Sequence, residues 1–299
     1  MKTAFLFPGQ GAQIVGMGKD FYDHFSVARE TFQEADDCLH RSLSSLIFNG
    51  PEKELTQTSN SQLAIFVTSM AIYRVLEHLQ PIRPDVCAGL SLGEYTALCV
   101  AGFLDFSQCL SLVKSRGEFM HRCCEKVEGK MAVVLGLSSE KAQELVIPDQ
   151  LWVANLNCPG QVVISGTAKG VEKGVKRALE FGAKRVLPLN VHGAFHSGLM
   201  AQAQESLSPY IDAAAFCKGN IPVVMNVTGM PVMEVETVKE LLKKQVTHSV
   251  LWEKGIRQMN VERFIEFGPG RSLSGLNRKI GVLGEMRSID KIHDLKEFE

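Results

Sequence analysis

The sequence predicts an α/β protein that carries an inserted α+β unit. Three observations point there. A short apolar strand, Val86-Cys87-Ala88, runs through Gly89-Leu90-Ser91-Leu92-Gly93 into a helical stretch, Glu94 to Ala101, that stops at Gly102. An earlier strand, Thr3 to Phe7, opens into the glycine-rich loop Pro8-Gly9-Gln10-Gly11-Ala12-Gln13. From Lys130 to Val191 the pattern reads β-α-β-β-α-β, the order of a ferredoxin-like unit.

Strand, glycine-flanked serine and helix together form the setting of a nucleophile elbow. A Cβ at either glycine would meet the neighbouring strand or helix. The serine then stands at a helix N-terminus, where backbone N–H groups and the helix dipole favour an oxyanion. The loop at residues 8–13 is not a phosphate cradle. A Walker A loop needs Lys where Met17 stands, and a dinucleotide fingerprint needs Gly where Ile14 stands. What remains is a turn, or a ligand-binding loop of the kind found at the C-terminal ends of strands in open α/β sheets.

Residues 20–60 read as polar helical pieces broken at Asn49-Gly50-Pro51. Ser61 to Leu76 has little polar face and predicts a buried helix. A further helix begins at Asp105, an N-cap, with Phe106, Cys109, Leu110, Leu112, Val113, Phe119 and Met120 on its apolar stripe. Arg116 projects from that same stripe. A buried guanidinium is costly unless it meets an anion; the alternatives are snorkelling at the edge or pairing with an internal carboxylate.

Within the inserted unit, strands are expected at 131–135, 152–154, 161–165 and 185–191, and helices at 138–146 and 170–181. The cluster Asn157-Cys158-Pro159-Gly160 is read as a turn. The unit ends in His192-Gly193-Ala194-Phe195-His196-Ser197-Gly198. The glycines argue against a helix that would pair the two histidines on a metal, which leaves a catalytic base in a loop or a structural histidine. Beyond it come a strand at 223–227, a helix at 237–245 with Thr237 as its N-cap, and a strand at 264–267 that ends in Gly268-Pro269-Gly270.

The chain has 299 residues, 45% of them hydrophobic, enough for a large core. A net charge of −1 argues against nucleic acid as a partner. The first residues are too short an apolar run for a signal peptide, and no run is long enough to span a bilayer. Eight cysteines without a Cys-x-x-Cys pair are expected as free thiols in a reducing cytoplasm. Lys169, Lys173, Lys176, Arg177, Lys184 and Arg185 form a basic run, read either as a solvated face or as a surface that steers an acidic partner.

By its motifs and their order, the chain resembles the malonyl-CoA:acyl-carrier-protein transacylases. The resemblance rests on Phe7-Pro8-Gly9-Gln10-Gly11, Gly89 to Glu94, Arg116, Asn157 to Gly166, Gly193 to Ser197, Gln245 and Glu266 to Gly270. It implies an α/β-hydrolase-like core with a parallel sheet at 1–128 and 197–299, and a ferredoxin-like subdomain at 129–196. It implies Ser91 as nucleophile and His196 as general base, the latter oriented by the backbone carbonyl of Gln245. The N–H groups of Gln10 and Leu92 would form the oxyanion hole, and Arg116 would bind the malonyl carboxylate. Malonyl-CoA and an acyl carrier protein would be the partners, with neither metal nor cofactor beyond the coenzyme A thioester, no nucleic acid and no membrane. Fatty-acid synthesis in the cytoplasm is the expected setting. The alternatives are an acyl-hydrolase, a discrete acyltransferase serving polyketide synthesis, or a non-enzymatic carrier-binding module. One departure stands out: the family most often has His before the nucleophile, where this chain has Leu90. His192 is given no role.

Overall fold

The computed structural model describes residues 1–191 and 193–298; His192 lies outside the described residues. Among the described residues, ten strands form two sheets. The larger sheet comprises β1 (Thr3–Phe7), β2 (Val86–Gly89), β7 (Val223–Met225), β8 (Met230–Val232), β9 (Arg263–Phe267) and β10 (Glu285–Ile289), in the order β10-β9-β1-β2-β7-β8. All its pairings are parallel except the β7–β8 hairpin. Strands β1 and β2 are buried along their whole length, as apolar runs in a sheet covered on both faces must be.

The smaller sheet is antiparallel, with β3 (Gly129–Leu135), β4 (Leu151–Cys158), β5 (Gln161–Thr167) and β6 (Arg185–Pro188) in the order β4-β5-β3-β6. It falls in the chain between β2 and β7. Its residues alternate between two faces. Ala132, Val134, Val162 and Ile164 pack with Val171 and Ala178 of the helix Ala168–Glu180. Met131 and Val163 on the other face join the main core.

Several boundaries differ from the sequence expectations. Strand β4 runs on to Cys158, so the turn is Pro159-Gly160 alone, with Gly160 at φ +72°. The helix expected at 138–146 is only Ser139–Gln143, and β6 stops at Pro188. The helix expected to start at Thr237 runs Val235–Lys244, because the Glu234 side chain accepts the Thr237 N–H and is itself the cap. Asp105 caps Phe106–Lys126 by accepting the Gln108 N–H, as the sequence predicts. The helices Ala201–Ala213, Trp252–Gln258 and Ser272–Ile280 are not foreseen by the sequence pattern. No helix among the described residues is long and apolar enough to cross a membrane.

Candidate active site

The central strands β1 and β2 end side by side, so the loop after Phe7 and the turn after Gly89 meet at one edge of the sheet. The turn is crowded. A Cβ on Gly89 would lie 1.8 Å from the carbonyl carbon of Gly93, and one on Gly93 would lie 2.0 Å from the Phe7 oxygen. Between them Ser91 takes φ +53°, a left-handed backbone that L-residues avoid. Distant groups hold it there. The Ser91 N–H donates to Asn226 Oδ1 at 2.7 Å, and the Ser91 carbonyl accepts from Gln245 Nε2 at 2.8 Å.

His196 is buried and also left-handed, at φ +55°. Its Nδ1 lies 2.9 Å from the Gln245 carbonyl oxygen and 3.1 Å from that of His248. Carbonyls only accept, so Nδ1 carries the proton. Nε2 is then the acceptor, 2.8 Å from Ser91 Oγ. Burial, reinforced by the charge of Arg116, pushes the imidazole pKa down to about 4, against the pull of the two carbonyls. Among the carbonyls, Gln245 was expected and His248 was not.

Arg116 is buried, so it does not snorkel. Its Nη1 donates to Gln62 Oε1 at 2.6 Å, and its Nη2 lies 3.0 Å from both Ser91 Oγ and Gln245 Oε1. The guanidinium sits 5.4 Å from the Tyr95 ring centroid, and its Nε has no partner among the described residues. Burial pulls its pKa below the ordinary value, while Tyr95 and Glu94 oppose the shift. The charge is thus held by neutral amides, with donor capacity left over.

Gln10 and Leu92 flank the serine from the two loops. Neither backbone N–H has a partner among the described residues. The site opens into a cavity of about 500 Å³. Ser91, His196 and Gln10 line its floor, and Met131, Val133 and Val163 line one wall. Leu90 contributes apolar surface, and Arg271 and Lys279 also line the space. The basic run at 169–185 is placed otherwise: its helix covers the face of the small sheet turned away from the cavity. No cluster of three or more His, Cys, Asp or Glu side chains among the described residues is placed to hold a metal.

Gln62, Glu94, Asn226 and His248 complete the network but were not singled out in the sequence. Two of them left a trace there. Gln62 is a buried polar residue directly before the apolar run Leu63 to Val67, and Asn226 directly follows the apolar strand β7.

A family model described as acyl transferase domain matches residues 4–269. The malonyl CoA-acyl carrier protein transacylase of Bacillus subtilis (strain 168) is 45% identical over 287 residues, which is 93% of this chain and 90% of that protein. The acyl carrier protein S-malonyltransferase of Vibrio cholerae superposes with a TM-score of 0.95 at 36% identity, covering 100% of both chains. A malonyl-transacylase in complex with the holo acyl-carrier protein of a type II polyketide synthase superposes with a TM-score of 0.94 at 35% identity, covering 99% of this chain and 98% of its own. The chain is therefore an acyltransferase and belongs to the malonyl-CoA:acyl-carrier-protein transacylase family.

Proposed function

We propose that this protein transfers malonyl from coenzyme A to the phosphopantetheine thiol of an acyl carrier protein through an ester on Ser91. One observation carries the proposal: Ser91 Oγ lies 2.8 Å from His196 Nε2 and 3.0 Å from Arg116 Nη2 at the floor of one cavity. His196 takes the Ser91 proton as Oγ attacks the thioester carbonyl. The resulting oxyanion is received by the N–H groups of Gln10 and Leu92. The C–S bond breaks, and the proton returns from His196 to the departing coenzyme A thiolate. The carrier thiol then gives its proton to His196, attacks the ester, and releases Ser91 by the reverse path. Arg116 exchanges its contact with Ser91 Oγ for the malonyl carboxylate, which its planar fork matches.

An acyl-hydrolase would use the same serine and histidine but has no need of a buried cation beside them. We place the reaction in fatty-acid synthesis in the cytoplasm. The eight cysteines are all free thiols, which suits a reducing compartment. A polyketide carrier is the second reading, favoured by the relative bound to such a carrier. We also read residues 129–196 as a ferredoxin-like subdomain set into an α/β-hydrolase-like core at 1–128 and 197–299. The antiparallel order β4-β5-β3-β6 with a helix packed on one face supports that reading.

Malonyl-CoA alone should add one malonyl group to Ser91, and carrier protein should then remove it. Ser91→Ala should abolish the adduct and lower turnover by about 10⁵–10⁶. Intact-mass measurement with and without carrier decides. A label on cysteine, or loss of malonyl to water at the same rate with no carrier present, would overturn the assignment.

A further inference from the structure

Glu94 follows the second glycine of the elbow and is fully buried. Its Oε1 accepts the backbone N–H of Asn226 at 2.5 Å, and its Oε2 accepts Gln245 Nε2 at 2.5 Å. These same two residues hold the nucleophile. Asn226 Oδ1 accepts the Ser91 N–H at 2.7 Å, while its Nδ2 donates to the Gly89 carbonyl at 2.7 Å. Gln245 Nε2 donates to the Ser91 carbonyl at 2.8 Å, and Gln245 Oε1 accepts from Arg116 at 3.0 Å. The Gln245 main-chain oxygen holds His196 Nδ1 at 2.9 Å.

We propose that Glu94 is a positioning residue, whose carboxylate fixes Asn226 and Gln245 in the one arrangement that keeps Ser91 in its left-handed backbone and Arg116 against it. Donors and acceptors decide the matter. Both partners of Glu94 are N–H donors, so both of its oxygens must accept. A carboxylate does this; an amide cannot, because one of its two ends is NH₂. With glutamine at 94, either the Asn226 N–H or Gln245 Nε2 would face a donor. Turning the Gln245 amide over does not help. Its oxygen would then face the Ser91 carbonyl, and its NH₂ would face Arg116. Burial pushes the Glu94 carboxyl pKa up to about 8, against the two N–H donors and Arg116, which favour the charged form. The carboxylate form suits this arrangement of donors.

The inference rests on the assignment of Ser91 as nucleophile, and the test separates the two. A fluorophosphonate probe, which reacts with activated serines, should label the parent on Ser91 and fail to label Ser91→Ala. Failure to label the parent would sink the site assignment itself. Glu94→Gln, nearly isosteric, should lose roughly 100-fold in both kcat and probe-labelling rate, as a misplaced reacting group does. Its KM for malonyl-CoA should stay within about threefold. Glu94→Asp keeps the charge but shortens the reach, and should lose about 10-fold in the same two rates. If Glu94→Gln yields no folded protein by circular dichroism, the aspartate variant decides alone. Unchanged labelling and kcat with only a lowered Tm would overturn the proposal. A loss confined to malonyl-CoA, with labelling intact, would also overturn it, since Glu94 would then be a counter-charge to Arg116.

Discussion

Ser91 and His196 sit at φ +53° and +55°, in a region where side chains crowd the following carbonyl. Neither position is a glycine, so the cost is met by the hydrogen bonds that surround them. For His196 those bonds also set the chemistry. With its pKa near 4, the imidazole is neutral and ready to accept a proton well below the ordinary value of about 6.5. In kinetics, kcat/KM should stay level from about pH 8 down to about pH 6 and fall only toward pH 4. In folding, the unfolded chain binds this proton more readily. The stabilising contribution is therefore complete above about pH 6.5 and is lost as pH falls toward about 4. An acidic limb centred near the ordinary imidazole value would show that His196 is not held this way. Arg116 gives a second residue-level expectation. Arg116→Ala unpairs the malonyl carboxylate, a loss of about 2–5 kcal/mol, or roughly 30-fold to several thousandfold in kcat/KM. Acetyl-CoA, which lacks that carboxylate, should lose much less, although Arg116 also touches Ser91 Oγ. With the nearby positive charge gone, the acidic limb should move upward. Equal losses for both thioesters would make Arg116 structural.

The elbow is an element whose geometry is dictated by missing side chains. Gly93→Ala would put a Cβ 2.0 Å from the Phe7 oxygen, a backbone atom of a central strand that cannot step aside. The cost should be well above the ~1 kcal/mol of a typical point substitution. A thermal melt should show a large drop in Tm, and a near-normal melt would mean the helix can shift on β1. This element was legible in the sequence because two glycines around a serine, set between an apolar strand and a helix, suit a tight turn and little else. Arg116 was legible for a related reason, as a cation where periodicity demands an apolar residue. For His196 the glycine-flanked loop left a catalytic base or a structural histidine open, and family resemblance chose between them. Gln245 came from resemblance alone, since nothing local marks a carbonyl as a histidine's partner. Glu94 stood in plain view within the motif, but its partners lie 132 and 151 residues away, beyond the reach of any local pattern. The helix Ser272–Ile280 was hidden for a comparable reason. Its cap is Glu266 in β9, which accepts the N–H groups of Leu273 and Ser274, so its start is set by a residue outside the segment.

At the scale of the molecule, the chain builds a cavity between two sheets and puts cations at different distances from it. Lys279 lines the cavity, while Lys173 bonds Gln150 on the far side of the small sheet. An acidic carrier delivering its thiol to Ser91 should therefore sense the first and not the second. Lys279→Glu should raise the KM for carrier several-fold at low salt, with the difference shrinking as salt is added. Lys173→Glu with Lys176→Glu should leave it within about twofold. The reverse ranking would put the docking surface on the basic helix, as the charge pattern of the sequence suggests.

The segment from Gln245 to Val250 links the two sheets. Its carbonyls at 245 and 248 hold the imidazole of His196. Two residues on, the Val250 N–H donates to the Ala154 oxygen at 2.8 Å, and the Leu156 N–H donates to the Val250 oxygen at 2.9 Å, which ties the segment to β4 of the small sheet. Ser91 belongs to the large sheet, at the end of β2. Nucleophile and base thus meet on the cavity floor from separate supports, one at the end of β2 and one held by a segment tied to the small sheet, and the Gln245 side chain is the pin that reaches across to the serine. Packing between the sheets, elsewhere a matter of how firmly the molecule holds together, here sets the span of the hydrogen bond across which the proton must move.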